Sequence, residues 1–81
     1  MILTIRKETK SIDIKINEKL KVSEALDVLS ERNIIHLNKD EVIVSERENI
    51  VVDSNKSFEQ NKIYNGDILN IKSQGGKKDG V

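Results

Sequence analysis

The pair Gly75-Gly76, near the end of the sequence, is the feature whose chemistry is easiest to name. It follows the strand-like run ILNIK and the polar spacer Ser73-Gln74, and the residues KKDGV come after it. Because glycine has no Cβ, two glycines adopt almost any backbone conformation and pass easily into a narrow enzyme channel. A reactive carboxylate on Gly76 would require removal of KKDGV. An ordinary polar tail has the same composition, so the elements before it must support this interpretation.

The composition excludes several classes of site. The 81 residues carry 14 basic and 14 acidic side chains, and this balance argues against a general nucleic-acid or membrane-surface role. The absence of cysteine excludes disulfides, thiolate metal ligands and a cysteine nucleophile. No apolar run approaches the roughly 20 residues of a membrane span, and MILTIRK becomes charged too soon for a signal peptide. We therefore expect one small cytoplasmic domain with no membrane span.

The first half of the chain predicts a hairpin followed by a helix. MILTIRK and SIDIKIN alternate apolar and polar residues, and the short polar stretch ETK between them predicts an antiparallel turn. The side chains expected to point inward are Met1, Leu3, Ile5, Ile12, Ile14 and Ile16. The spacing then becomes helical, with one apolar stripe at Val22, Ala25, Leu26 and Leu29. This pattern predicts a helix over 22–32 that ends at a left-handed Asn33.

The second half predicts three short strands and a core-filling loop. EVIVS and NIVVD are β-branched runs joined by EREN, which indicates a second strand pair. Phe58 and Ile63 are isolated apolar residues expected to fill the core from a loop. Asn65-Gly66-Asp67 predicts a turn in which Gly66 has a positive φ. The last strand, ILNIK, is expected to point Leu69 and Ile71 inward.

These elements predict an α+β domain, with a single helix packed on a small mixed β-sheet and with the first and last strands adjacent. The domain covers 1–72, and 73–81 forms a disordered C-terminal tail. The residues expected to be the most buried are Leu3, Ile14, Leu26, Leu29 and Leu69.

The order and spacing of these elements, with SFEQNKI before the final turn and NGDILNIK at the last strand, resemble the ubiquitin-like β-grasp family. The resemblance runs from Met1 to about Lys72. The last strand is similar to two bacterial branches. One is the YukD/EsaB group attached to type VII secretion. The other comprises sulfur carriers and ubiquitin-like modifiers, whose last strand leads to a Gly-Gly end.

The resemblance implies a protein with no active site and no cofactor of its own. In the modifier branch, a JAB-type peptidase would remove KKDGV, an adenylating enzyme would activate the carboxylate of Gly76, and a conjugating enzyme would pass it to a lysine. Gly75 and Gly76 are then the processing and conjugation site. The spacer lacks the arginine and the apolar anchor that ubiquitin carries before its glycines.

A second candidate site lies on the sheet. Strand alternation in EVIVS allows only Ile43 or the Val42/Val44 pair to face the core. Ubiquitin-like proteins dock partners through an apolar spot on the outward face. We expect a partner-binding surface at Val42, Val44 and Ile68, with Val51 nearby.

Other polar residues predict no catalytic or metal site. His36 is the sole histidine, and no motif supplies it with a nucleophile or an orienting partner. The acidic pairs around Asp40-Glu41 and Glu46–Glu48 show no metal-ligand spacing. Their expected role is that of solvated turn residues.

The sequence thus favours a monomeric bacterial ubiquitin-like modifier precursor. Two alternatives stay open. One is a YukD/EsaB-like secretion accessory that binds partners non-covalently through its sheet face. The other is a sulfur carrier with a thiocarboxylate on Gly76. The conjugation target is not encoded in any motif.

Overall fold

The computed structural model describes residues 1–73 as one helix packed on a five-stranded mixed sheet, which confirms the predicted α+β architecture. Its elements are β1 (Ile2–Lys7), β2 (Lys10–Lys15), α1 (Val22–Glu31), β3 (Glu41–Ser45), β4 (Ile50–Val51) and β5 (Ile68–Ser73). The predicted disordered tail, with Gly75 and Gly76, lies outside the described residues apart from Ser73.

The sheet order is β2-β1-β5-β3-β4, so the first and last strands are neighbours as predicted. β1 and β2 form the expected antiparallel hairpin, in which Ile5 lies opposite Ile12. β5 runs parallel to β1 and antiparallel to β3, and Ile71 lies opposite Ile43. A central β5 is therefore hydrogen-bonded on both sides, which holds its backbone firmly up to its last residues.

Helix α1 begins at Val22, as predicted, and ends at Glu31, one residue before the predicted end. Asn33 has a φ of 56°, the left-handed conformation expected of it. The amide of Ile34 donates to the carbonyl of Leu29 (2.9 Å), and that of Asn33 donates to Ser30 (3.0 Å). These two bonds form a Schellman motif, which satisfies carbonyls that the helix end would otherwise leave open.

The predicted list of most-buried residues is correct for Leu3, Leu29 and Leu69 but wrong for Leu26 and Ile14, which are only half-buried. At about 100° per residue, Leu26 lies on the flank of the stripe formed by Val22, Ala25 and Leu29 rather than at its centre. Ile14 is half-exposed for a different reason, because β2 is an edge strand with no neighbour on its outer side.

The loop before β5 closes the core. Phe58 and Ile63 are each only 1% exposed, so both fill the core from this loop as predicted. Gly66 has a φ of 90°, which confirms the predicted turn. The turn delivers the buried carboxylate of Asp67 to β3, where the hydroxyl of Ser45 donates to Asp67 Oδ2 at 2.7 Å.

No helix within residues 1–73 is long and apolar enough to cross a bilayer.

Candidate functional site

The predicted partner-binding residues lie together on the outer face of the sheet, which we define as the face opposite α1. Strand alternation buries Ile43 in the core at 4% exposure, and this places Val42 and Val44 on the outer face. Ile68 is outward by the same rule in β5, because Leu69 is buried. Val42, Val44 and Ile68 are all half-buried.

The register sets the arrangement of these side chains. Val44 lies opposite Asn70 of β5 on one side and opposite Val51 of β4 on the other. Ile68 precedes Asn70 by two residues, so it is a diagonal neighbour of Val44 on the same face. Val51 is 63% exposed, and it extends the apolar part of the face to the β4 edge.

A polar cluster interrupts this apolar surface. The carboxylate of Glu46 lies 3.5 Å from Arg6 Nη1 and accepts a hydrogen bond from Asn70 Nδ2 at 3.1 Å. The cluster therefore links β1, β5 and the end of β3 between Ile68 and Val44. Sequence reasoning missed it, because the partners of Glu46 are far apart along the chain and depend on the strand order.

The cluster is open to water. The side chains of Arg6 and Glu46 are 44% and 50% exposed, and ion pairs of this kind contribute only about 0–1 kcal/mol to stability. An arriving partner could displace the pair at little expense. The outer face is thus a mixed surface, in which half-buried aliphatic residues border polar groups that can change partners.

The end of β5 is the structure's closest approach to the predicted processing site. Ser73 lies opposite Glu41 of β3, and its hydroxyl donates to Asp40 Oδ2 at 3.3 Å. Lys72 lies opposite Val42 in the same ladder. Backbone pairing with β3 therefore continues to Ser73, while Gly75 and Gly76 lie outside the described residues.

An ion pair braces this end of the sheet. Lys7 Nζ lies 3.1 Å from Glu41 Oε1 and also donates to the carbonyl of His36 at 2.6 Å. The backbone N–H of Asn38 donates to the same Glu41 oxygen at 2.8 Å. This amide, together with the Lys7 ammonium, lowers the pKa of Glu41 below 4.5, against a smaller opposing effect of burial.

His36 has a side-chain partner that the sequence did not indicate. Its Nδ1 lies 2.9 Å from the hydroxyl of Ser30, near the end of α1. Both groups are at the surface, and no described side chain within residues 1–73 orients the other ring nitrogen. A hydroxyl and an imidazole without a third, orienting group and a substrate cleft do not make a nucleophilic site. We assign this contact to fixing the loop after α1.

Acidic side chains do not gather into a metal site in the described part of the chain. Among residues 1–73, no group of three or more histidine, aspartate or glutamate side chains could hold a metal ion.

Comparison with known proteins identifies the fold. No protein-family model and no curated protein matches the chain. Among solved structures, it is similar to a de novo designed protein based on ubiquitin, with a TM-score of 0.73 and 15% identity over 100% of this chain and 95% of that one. It is also similar to the N-terminal ubiquitin-like domain of the 4931431F19Rik protein, with a TM-score of 0.68 and 12% identity over 90% and 73% of the two chains.

A third similar structure is a ubiquitin-like protein from the hyperthermophilic archaeon Caldiarchaeum subterraneum, with a TM-score of 0.56 and 9% identity over 90% of this chain and 95% of that one. At these identities the likeness shows the fold alone. The described residues form a ubiquitin-like β-grasp domain, as the order of elements predicted.

Proposed function

We propose that this chain is the precursor of a bacterial ubiquitin-like protein modifier, which is cut after Gly76 and joined to other proteins through the new carboxylate. One observation carries the proposal. The central strand β5 is paired up to Ser73, and the sequence places Gly75-Gly76 only two positions later. A rigid domain thus ends immediately before two residues that have no Cβ, which suits entry into the narrow clefts of processing and activating enzymes.

The proposed chemistry has three balanced steps. A peptidase hydrolyses the peptide bond between Gly76 and Lys77 and releases KKDGV. The Gly76 carboxylate attacks the α-phosphate of ATP, which gives an acyl-adenylate and pyrophosphate. A cysteine thiol of the enzyme set displaces AMP to form a thioester, and a lysine ε-amine of the target then displaces the thiol to form an isopeptide bond. The modifier supplies no catalytic group to these steps.

In this proposal the folded domain acts as the recognition element. The half-buried aliphatic residues of the outer face, Val42, Val44 and Ile68, offer a surface for the adenylating and conjugating enzymes and for a JAB-type peptidase. The neighbouring Arg6–Glu46 pair can exchange its partner for a group on the enzyme, since both side chains are about half exposed.

Two matched variants test the proposal in the native host. Gly76→Val places a β-branched side chain at the proposed cleavage site, whereas Gly80→Val makes the same change beyond it. Each is expressed with an N-terminal affinity tag, and the purified protein is examined by intact mass and by immunoblot for larger species. The proposal expects cleavage and conjugates for the wild type and for Gly80→Val, and neither for Gly76→Val.

The other outcomes discriminate among functions. An uncut wild-type chain without conjugates would contradict the proposal. Cleavage after Gly76 followed by replacement of one carboxylate oxygen by sulfur, again without conjugates, would identify a sulfur carrier. Equal behaviour of all three proteins would show that the glycine pair has no role in processing.

A second candidate function is a non-covalent accessory module of the YukD/EsaB kind. The observation that favours it is the outer face itself, where Val51 is 63% exposed and adjoins the half-buried Val44. This candidate requires the face but not the glycines. It therefore expects partner binding to survive deletion of residues 74–81 and to be lost when Val44 is replaced by Asp.

A further inference from the structure

An apolar groove lies between the β2 edge of the sheet and helix α1, away from the outer face. It has a volume of about 430 Å³. Its apolar lining consists of Ile14, Ile16, Leu20, Val28, Leu29 and Ile34. Val28 forms part of the helical wall and is 45% exposed, although its position on α1 borders the core. The groove explains why Ile14 and Ile16 of the hairpin stay half-buried, because nothing in the described chain covers them.

The strand beside this groove has an open backbone edge. Met1 and Ile16 exchange two hydrogen bonds, from the Met1 ammonium to the Ile16 carbonyl (3.0 Å) and from the Ile16 amide to the Met1 carbonyl (2.8 Å). In an antiparallel ladder such pairs alternate with non-bonded pairs. Ile14 and Ile12 therefore also bond to β1, while the backbone groups of Asp13 and Lys15 point away from the sheet.

These outward groups have no backbone partner within residues 1–73. β2 is the terminal strand of the sheet order and pairs only with β1. The same parity places the amide and carbonyl of Ser11 at the open edge. Three residues in alternate positions thus offer a row of donors and acceptors beside an apolar groove, which is what an added strand requires.

The charges of the groove select the kind of segment that could fill it. Its ionisable lining residues are Lys15 and Arg32, and both are cationic. Lys10 holds a third ammonium nearby, where its Nζ donates to the carbonyl of Ile34 at the groove. A segment with acidic residues at its ends would complement these charges.

We propose that the β2 edge binds an extended segment of another protein, in which alternate β-branched apolar residues face α1 and acidic residues flank them. The segment adds to the sheet as a sixth strand beside β2. Its backbone pairs with Ser11, Asp13 and Lys15, and its inward side chains cover Ile14, Ile16 and Val28. This interaction does not depend on processing at Gly76.

A second copy of this chain is a poorer occupant. Antiparallel pairing of two β2 edges over their full length is centred on Asp13 and sets it opposite the Asp13 of the other copy. Like charges directly opposite each other destabilise a ladder. The KKDGV segment is also unsuited, because it is cationic and lacks alternating apolar residues.

The test uses the full chain labelled with nitrogen-15 and the synthetic peptide acetyl-Glu-Asp-Ile-Thr-Val-Thr-Val-Glu-amide. Amide chemical shifts are followed as the peptide is added. We expect saturable changes at Ser11, Asp13, Lys15 and Val28, together with slowed hydrogen exchange at the Asp13 and Lys15 amides. The same peptide with its acidic residues replaced by Lys should bind at least about tenfold more weakly, since its charges then oppose Lys15 and Arg32.

Two variants locate the site. Val28→Asp introduces a charge into the groove at an exposed position, so the fold is retained and binding should fall at least about tenfold. Leu37→Asp is the matched control, because Leu37 is also an exposed apolar residue but does not line the groove. It should bind as the wild type does.

Three results would overturn the proposal. The first is the absence of shifts at millimolar peptide concentrations. The second is a set of shifts confined to the outer face around Val44. The third is protection of the Asp13 and Lys15 amides that grows with protein concentration in the absence of peptide, which would assign the edge to a second copy.

Discussion

The hydroxyl of Ser45 donates a fully buried hydrogen bond to Asp67 Oδ2 at 2.7 Å, which ties the end of β3 to the start of β5. The other carboxylate oxygen, Oδ1, accepts the amides of Ile68 (2.8 Å) and Arg47 (3.2 Å). One buried side chain thus fixes both the turn after β3 and the residue that carries the outward Ile68. The outer face depends on this link for its geometry.

We predict that Asp67→Ala lowers the free energy of unfolding by about 2–3 kcal/mol, because it removes charge-assisted hydrogen bonds and leaves the buried Ser45 hydroxyl without its acceptor. Asp67→Asn is the conservative control. It keeps one acceptor oxygen for the backbone amides and should lose less. Urea unfolding at pH 7 measures both, and a change below about 0.5 kcal/mol for Asp67→Ala would contradict the assigned role.

A second prediction tests the register of α1. Leu29 is 7% exposed and sits at the centre of the buried stripe, so Leu29→Ala should lower the free energy of unfolding by about 2–5 kcal/mol. Leu26 lies on the flank, and Leu26→Ala should have a clearly smaller effect. Urea titration of the two variants side by side compares the same chemical change at two depths. A larger loss at Leu26 would show that the stripe is centred elsewhere.

A third prediction concerns pH. Because the amide of Asn38 and the ammonium of Lys7 lower the pKa of Glu41 in the folded state, the ionised carboxylate stabilises the fold. This contribution is fully present above the unfolded value near 4.5 and is lost as the pH falls through the lower folded pKa. Glu41→Gln should therefore be less stable than the wild type at pH 7.

Thermal unfolding from pH 7 down to pH 2 checks the sign of this effect. The difference between Glu41→Gln and the wild type should shrink as the pH falls below 4.5 and vanish below the folded pKa. Asp40→Asn, on the adjacent exposed residue, is the control and should show a smaller pH-dependent difference. A gap for Glu41→Gln that stays constant across this range would contradict the ionic role of Glu41.

A fourth prediction concerns the outer face. Val44→Asp should change the free energy of unfolding by only about 1 kcal/mol, the span of strand propensities, because Val44 is half-exposed. A partner that covers Val44 would have to desolvate the new carboxylate, so binding should be lost. Ser11→Asp places the same charge on the outer face of the distant β2. Quantitative mass spectrometry of co-purified proteins should show losses for Val44→Asp alone, and an unchanged set for both variants would reject this face as a docking site.

The sequence was sufficient for the fold because its patterns are local. Alternation in SIDIKIN, the helical stripe at Val22 to Leu29 and the turn at Gly66 each depend on neighbours along the chain, and all three appear in the structure. Even the choice between Ile43 and its flanking valines was limited to two options by the period of a strand.

What the sequence did not give was pairing across strands. The contacts of Glu46 with Arg6 and Asn70 require β1, β5 and β3 to be adjacent, and no local pattern specifies which polar residues then meet. The half-exposure of Ile14 likewise follows from β2 being an edge strand. An alternating strand looks the same in sequence whether its neighbour is present on one side or on both.

The central claim is conjugation through Gly76, and the sequence supplies a specific signature for it. Trypsin cleaves after Lys72, so a target lysine joined to the processed chain would retain the remnant Ser73-Gln74-Gly75-Gly76 on its ε-amine. The most direct measurement is therefore a tryptic digest of high-mass species that carry the N-terminally tagged protein, purified from the native host under denaturing conditions and searched for this adduct. The account predicts Ser-Gln-Gly-Gly on target lysines in the wild type and its absence in Gly76→Val. Tagged protein that always ends at Val81, with no such adduct on any lysine, would contradict it.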